Sequence, residues 1–224
     1  MKLARGFGGG NWLGMFEVGA VALLFIADWR GLIPVSKTPF LLLLAWISLR
    51  LRRVRWREIG LRRLGSWART LGMGAACGVV LWATQLFVVQ AAVARLLGRQ
   101  PDLSDLEPLI GNLKMTLVVV ALSWVLAACG EEMVYRGYLM NRLTDWVGRT
   151  RRAWIGSALV VSVVFGLAHA NQGPTGMVVE GIAGLWLGLV YLGAGRNLFV
   201  AIVAHGVQNT IDLLLVYFGK FPGM

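Results

Sequence analysis

The sequence predicts an all-α polytopic membrane protein, a bundle of about seven transmembrane helices with the N-terminus inside. Hydrophobic residues make up 57% of the 224 residues and charged residues only 15%, and the mean hydropathy is +0.67. Soluble domains average about 25% charged residues, so this chain has too little polar surface to cover a soluble globule. Its long apolar stretches indicate helices rather than a β-barrel, because a helix satisfies its own backbone hydrogen bonds in lipid.

The N-terminal region, 1–110, contains three predicted spans. No small-residue cleavage site follows the first span, 15–33, which predicts a retained helix rather than a signal peptide. The second, 38–49, has only about twelve apolar residues, so it either extends at one end or is re-entrant. The third span is the apolar stretch 71–94.

A basic connector, 49–70, joins the second and third spans. Its tryptophans and aliphatic residues alternate with arginines, which predicts an interfacial amphipathic helix; a solvated basic connector is the alternative. Eight arginines lie between Arg50 and Arg69 and five between Arg136 and Arg152, and both clusters flank spans. This positive-inside pattern, with its attraction to anionic lipid, accounts for the net charge of +11, so we expect no nucleic-acid partner.

The C-terminal region, 111–218, contains the other four spans, and both regions form one integrated membrane domain. The fourth span can continue as a single long helix. With the arginine clusters inside, the acidic loop at 102–107 lies outside and the turn at 149–152 inside, in agreement with seven crossings. In order, these spans cover 113–147, 153–170, 177–192 and 198–218.

Polar residues inside the last spans predict a functional site. A charged group at the bilayer centre costs roughly 2.5–3.5 kcal/mol, so it needs a reason. An interhelical hydrogen bond would explain any single one of them, but not the whole set on three neighbouring spans. The set comprises Glu131, Glu132, His169, His205 and Asn209, and it includes both histidines of the chain.

Helical spacing indicates how these residues meet. Glu132 and Arg136 are four residues apart on one face, which predicts an ion pair. Glu131 is rotated by about 100° from its neighbour and faces elsewhere. His205 and Asn209 share a face because they are also four apart.

Depth in the membrane also predicts that two of these polar residues lie close together. Positions 131 and 169 are equidistant from Thr150, which lies in the predicted turn. Glu131 and His169 are therefore expected at the same level of two antiparallel helices. Phe165, four residues before His169, shares its face.

Three motifs, in order, resemble the CPBP family, which comprises the type II CAAX prenyl endopeptidases and the bacterial Abi-type intramembrane proteases. The resemblance covers about half the chain, 113–218, whereas the first three spans resemble nothing specific. The motifs are EExxxR at Glu131, Glu132 and Arg136, FxxxH at Phe165 and His169, and HxxxN at His205 and Asn209.

The resemblance implies an endopeptidase that cleaves a membrane-associated or lipidated protein or peptide inside the bilayer. By motif position, Glu131 would activate water and His169 would help to hold it. His205 and Asn209 would stabilise the oxyanion, a role that suits an amide donor. The supporting residues would be Glu132, Arg136 and Phe165.

A metal-free site is the favoured interpretation, because Glu132 is committed to Arg136 and an asparagine amide is a poor zinc ligand. In the alternative, Glu131, His169 and His205 bind a divalent metal such as zinc and leave one position for water.

Two other function classes stay open. A proton-coupled transporter or channel subunit would use the same carboxylate and imidazoles as a relay. A catalytically inactive membrane scaffold would keep the shape of a protease without its activity. The expected location is a bacterial inner (plasma) membrane, and the pattern makes no prediction of oligomeric state.

Overall fold

The computed structural model describes residues 11–34, 36–63 and 65–223, and these residues form a bundle of seven helices that match the seven predicted stretches. The predicted all-α fold class is confirmed. Residues 1–10, for which we predict an inside position, lie outside the described part of the chain. The helices are α1 (Asn11–Trp29), α2 (Thr38–Leu51), α3 (Trp67–Leu97), α4 (Leu113–Val147), α5 (Arg151–Leu167), α6 (Gly173–Gly193) and α7 (Leu198–Tyr217).

Helix length and composition support a polytopic membrane protein. Among the described residues, four helices are long and apolar enough to cross a bilayer, and α2, with 14 residues, is a shorter apolar helix. The number of crossings, predicted as seven, stays a prediction. The four helices are Trp67–Leu97, Leu113–Val147, Ala170–Gly193 and Leu198–Tyr217.

The connector between α2 and α3 is not the predicted amphipathic helix. Among the described residues between Leu51 and Trp67, only the four-residue 3-10 helix Trp56–Ile59 is helical. Left-handed backbone at Arg53 and Gly60, with φ of 56° and 114°, prevents a continuous helix. The expectation from the alternating arginines was therefore wrong about secondary structure.

Tertiary contacts explain why the connector folds differently. The backbone N–H of Leu198 donates to the carbonyl of Gly60 at 2.9 Å, and the Asn197 amide donates to the carbonyl of Arg62 at 2.6 Å. A Cβ at Gly60 would lie 2.5 Å from the carbonyl oxygen of Arg196. The connector thus packs against the turn between α6 and α7, and these bonds replace those of a helix.

Helix α4 runs unbroken over 35 residues, as the sequence predicts for 113–147. Its ends are α-helical, but the segment Ser123–Leu139 has π-helical hydrogen bonds. Such wider turns are frequent at functional sites. All three residues of the EExxxR motif lie in this segment.

Close helix packing surrounds α7, which contacts α3 on one side and α4 on another. A Cβ at Gly78 of α3 would lie 2.5 Å from the carbonyl oxygen of Ala204. Small residues let membrane helices approach closely, so this glycine allows α3 to pack against the turn of α7 that contains His205. Helix α5 pairs with α6 in the same region of the bundle.

A buried polar cluster joins α1 to α2. Arg52 donates from Nη2 to both carboxylate oxygens of Glu17 at 3.0 Å, and the Ser48 hydroxyl donates to the same carboxylate at 2.5 Å. Both charged side chains are less than a tenth exposed. Pairing removes most of the cost of placing either charge in the bundle.

Candidate active site

A polar cavity of about 240 Å³ lies between α4, α6, α7 and the segment that follows α5. Residues at four-residue intervals form the wall contributed by α4, from Val119 through Ser123 and Ala127 to Glu131. The wall from α7 repeats at three and four residues from His205 onward. These intervals are those of one helix face, so each helix presents a single face to the cavity.

The cavity brings together all four residues for which the motifs predict a catalytic role. Glu131, His169, His205 and Asn209 all line it. The three supporting residues, Glu132, Arg136 and Phe165, are buried close by, each at most 1% exposed.

Glu132 is the centre of a buried charge network. Arg136 donates from Nη1 to Glu132 Oε1 at 2.6 Å, and from Nη2 to the carbonyl of Gly184 in α6 at 2.7 Å. The ion pair that the four-residue spacing predicts is therefore present. Glu131, which directly precedes Glu132, lines the cavity instead, because the helical period places it on another face.

His205 joins the same network, which the motif spacing alone did not reveal. Its Nδ1 lies 3.0 Å from Glu132 Oε1. Since a carboxylate only accepts, this bond assigns a proton to Nδ1 and leaves Nε2 as the ring nitrogen available to the cavity. Glu132 thus orients His205 while it is paired with Arg136.

His169 is oriented by its own helix. Its Nδ1 donates to the carbonyl of Phe165 at 2.8 Å, one of the last carbonyls of α5, which would otherwise lack an intrahelical partner. Nε2 again remains available. The four-residue spacing of the FxxxH motif therefore fixes the orientation of this imidazole.

The Phe165 ring packs between the imidazoles and Arg136. Its centroid is 4.8 Å from that of His169 and 6.2 Å from that of His205, and the Arg136 guanidinium lies 4.7 Å from the ring. The cation and the ring attract each other, so Phe165 stabilises the network from its apolar side.

Two residues at the start of the π-helical segment hold the HxxxN turn in place, and no motif identified them. The Asn209 amide donates to the Ser123 hydroxyl at 3.0 Å, which leaves its second N–H available. Trp124 donates to the Thr210 hydroxyl at 3.0 Å, and its ring lies 2.5 Å from where a Cβ of Gly206 would be. A hydroxyl in an apolar helix was the available signal for Ser123.

The N-terminal region also reaches the site. Lys37, in the loop between α1 and α2, donates to the carbonyl of Ala168 at 3.0 Å and pairs with Asp28 at 2.6 Å. Ala168 directly precedes His169, so this lysine secures the end of α5. Nothing in the first three spans predicted that contact.

Further acidic residues line the cavity beyond the motif residues. Glu180 comes from α6 and Asp212 from α7, with Gln208 beside it. Glu180 lies inside the predicted span 177–192, so the signal that singled out Glu131 was available there and was overlooked. Among the described residues, no group of three or more His, Cys, Asp or Glu side chains is arranged to hold a metal ion.

The fold and the cavity together define a polytopic helical membrane protein with a carboxylate, two imidazoles and an amide at one internal site. A family model described as "Type II CAAX prenyl endopeptidase Rce1-like" matches residues 113–211. All seven motif residues lie within the match, which supports the resemblance to the CPBP family drawn from them. No curated protein matches the chain, and no solved structure does.

The match supports a protease of the CAAX type. The apolar helices agree with an enzyme that is integral to a membrane. The chemistry of the individual residues does not follow from the match.

Proposed function

We propose that the protein is an intramembrane endopeptidase in which Glu131 activates water against a peptide bond of a membrane-associated or lipidated substrate. The observation that carries this proposal is the cavity, which is lined by Glu131, by Asn209 and by two imidazoles whose Nδ1 atoms are hydrogen-bonded elsewhere. A carboxylate, a water ligand and a hydrogen-bond donor are the groups that peptide hydrolysis requires.

Glu131 and His169 supply the proton transfer and the hydrogen bond that water needs to attack the peptide bond. Glu131 takes one proton from the water as its oxygen bonds to the substrate carbonyl carbon. His169, neutral with its proton on Nδ1, accepts a hydrogen bond from the same water at Nε2. Glu131 then gives the proton to the leaving nitrogen as the C–N bond breaks, so the products are a carboxylic acid and an amine.

The oxyanion is held from the α7 side of the cavity. Asn209 contributes the amide N–H that Ser123 leaves free. His205 contributes an N–H when Nε2 carries a proton. Groups aimed at the position of the developing charge are the largest single source of rate enhancement in many enzymes.

The experiment for this proposal compares the membrane peptides of cells that express the wild type or Glu131→Gln. The variant keeps the size of the side chain and removes the base, so we expect cleavage products to fall by at least about 100-fold while the protein still inserts. The products are measured by mass spectrometry of the membrane fraction. Glu107→Gln, in the exposed outer loop, is the matched control. Near-wild-type cleavage by Glu131→Gln would contradict the proposed base.

We also propose that the reaction needs no metal. The zinc alternative requires a free base in addition to its ligands, and Glu132 is already bound to Arg136 and His205. Purified active protein should therefore keep its activity in a strong chelator. Stoichiometric zinc, with activity lost on chelation and restored by zinc, would favour the alternative.

The proposed location is a bacterial inner membrane with the two arginine clusters on the cytoplasmic side. Cysteine labelling of single-cysteine variants in intact cells tests it: Arg57→Cys and Thr150→Cys should be protected from an impermeant reagent, and Asp105→Cys should react. The two native cysteines, Cys77 and Cys129, are replaced first. Labelling of position 150 from outside would reverse the orientation.

A further inference from the structure

Most acidic residues within the described helices have a basic partner. Such residues are costly in a membrane and normally pair with a cation. Glu17 pairs with Arg52, Asp28 with Lys37, Glu132 with Arg136, and Asp145 with Arg142 and Arg149. In the described part of α1 to α7, the three that lack a basic partner within ion-pair distance are Glu131, Glu180 and Asp212.

All three of these carboxylates line the same cavity. Glu131 is accounted for by the proposed mechanism, but Glu180 and Asp212 are not. No lysine or arginine is among the residues that line this cavity, so it offers these two carboxylates no internal cation.

Gln208 adds a third acceptor at the same place. Its side chain is 7% exposed and lines the cavity, four residues before Asp212 on the same face of α7. Its Nε2 lies 3.5 Å from Asp212 Oδ2, a long hydrogen bond, and its amide oxygen has no partner among the described side chains and backbone. An amide oxygen that lines a cavity without a partner is available to accept a hydrogen bond from a ligand.

We propose that Glu180, Gln208 and Asp212 form a subsite that binds a positively charged side chain of the substrate. The ammonium group of lysine and the guanidinium group of arginine each present several N–H donors, and the subsite presents two carboxylates and an amide oxygen that accept. This inference rests on the proposed function, because it assigns specificity to the cavity in which we place the cleavage reaction.

The position of the subsite makes it a determinant of cleavage position. His205, Asn209 and Asp212 follow one another along one face of α7. A substrate whose cationic residue is held by Asp212 and Glu180 has a nearby peptide bond presented to Glu131. The subsite therefore predicts a lysine or arginine at a fixed distance from the cleaved bond.

The test measures binding and cleavage separately. The probes are N-palmitoylated fluorescent peptides in which one position at a time is lysine or its uncharged analogue norleucine. Binding is measured in detergent with Glu131→Gln, which removes the proposed base. We expect the lysine peptide to bind about tenfold tighter at one position of the series.

Two variants identify the groups responsible. Adding Glu180→Gln and Asp212→Asn to the Glu131→Gln background should remove the lysine preference while binding of norleucine peptides stays within about twofold, which also shows that the cavity is folded. Adding Asp105→Asn and Glu107→Gln removes the same number of charges from the exposed outer loop and should keep the preference.

The outcomes separate this proposal from the proposed function. Equal binding of lysine and norleucine peptides at every position would overturn the subsite, as would a preference that survives Glu180→Gln with Asp212→Asn. Cleavage by the wild type without any lysine preference leaves the protease function and overturns the subsite. Preferential binding without cleavage of any peptide leaves the subsite and contradicts the protease function.

Discussion

Two of the buried carboxylate–arginine pairs in this bundle differ in the further contacts that each pair makes. Glu17 binds Arg52 and Ser48 where α1 meets α2, next to an apolar cavity. Glu132 binds Arg136 and then His205, whose second ring nitrogen is available to the polar cavity. The same pairing therefore joins helices in one place and orients a proposed catalytic group in the other.

A buried charge in a membrane protein can serve the fold alone or can also serve a functional site. Pairing alone is explained by the cost of an isolated charge and needs no functional role. A functional role is indicated when the paired group has a further partner that faces a cavity. By this criterion Glu132 supports the site and Glu17 supports the fold.

The largest expected effect is that of Glu132→Gln. The change leaves the Arg136 guanidinium, which is 0% exposed, without its negative partner, and such losses cost about 3–5 kcal/mol. We expect a strongly lowered thermal unfolding midpoint in detergent together with loss of peptide cleavage, because the acceptor for His205 Nδ1 also loses its negative charge. The double variant Glu132→Gln with Arg136→Met should recover stability but not activity. Recovered activity in the double variant would contradict the orienting role.

The matched change in the other pair is Glu17→Gln. Arg52 is nearer the end of its helix and 7% exposed, so its guanidinium can reach water or lipid headgroups. We expect a loss of about 1.5–3 kcal/mol, the size of hydrogen bonds to a charged group, with cleavage per folded molecule unchanged. A lower turnover of folded Glu17→Gln would remove the distinction between the two pairs.

The smallest effect is expected for Ser123→Ala, which acts on the site through Asn209 without touching either charge pair. The amide loses the hydroxyl that holds it at 3.0 Å, so turnover should fall by about tenfold with little change in KM. Ser123→Thr keeps the hydroxyl and should restore turnover. Steady-state kinetics on one peptide substrate measures both parameters. A rise in KM with unchanged turnover would indicate that Ser123 contributes to substrate binding instead.

Features that depend on neighbouring residues along one helix were predictable from the sequence. Apolar stretches located all seven helices, and the four-residue interval between Glu132 and Arg136 predicted their ion pair. The same interval placed His205 and Asn209 on one face. These predictions succeed because the helical period relates positions a few residues apart without reference to the rest of the fold.

Contacts between helices were decided by the tertiary structure. The Glu132–His205 hydrogen bond joins residues 73 positions apart, and the Asn209–Ser123 bond joins residues 86 apart. Both depend on the approach of α7 to α4, which no periodicity specifies. The connector after α2 failed as a predicted helix for the same reason, since its hydrogen bonds to Asn197 and Leu198 come from a distant turn.

The acidic residues show most clearly where prediction from the sequence ends and the tertiary structure decides. Their positions in the sequence show that seven carboxylates lie within helices of an apolar bundle, and that each one needs a partner or a function. The helical period pairs Glu132 with Arg136, but only the tertiary structure decides that Glu17 meets Arg52 and that Asp28 meets Lys37. It also decides which carboxylates face the cavity. Distances across a bundle depend on how several helices pack at once, whereas the helical period carries information along only one of them.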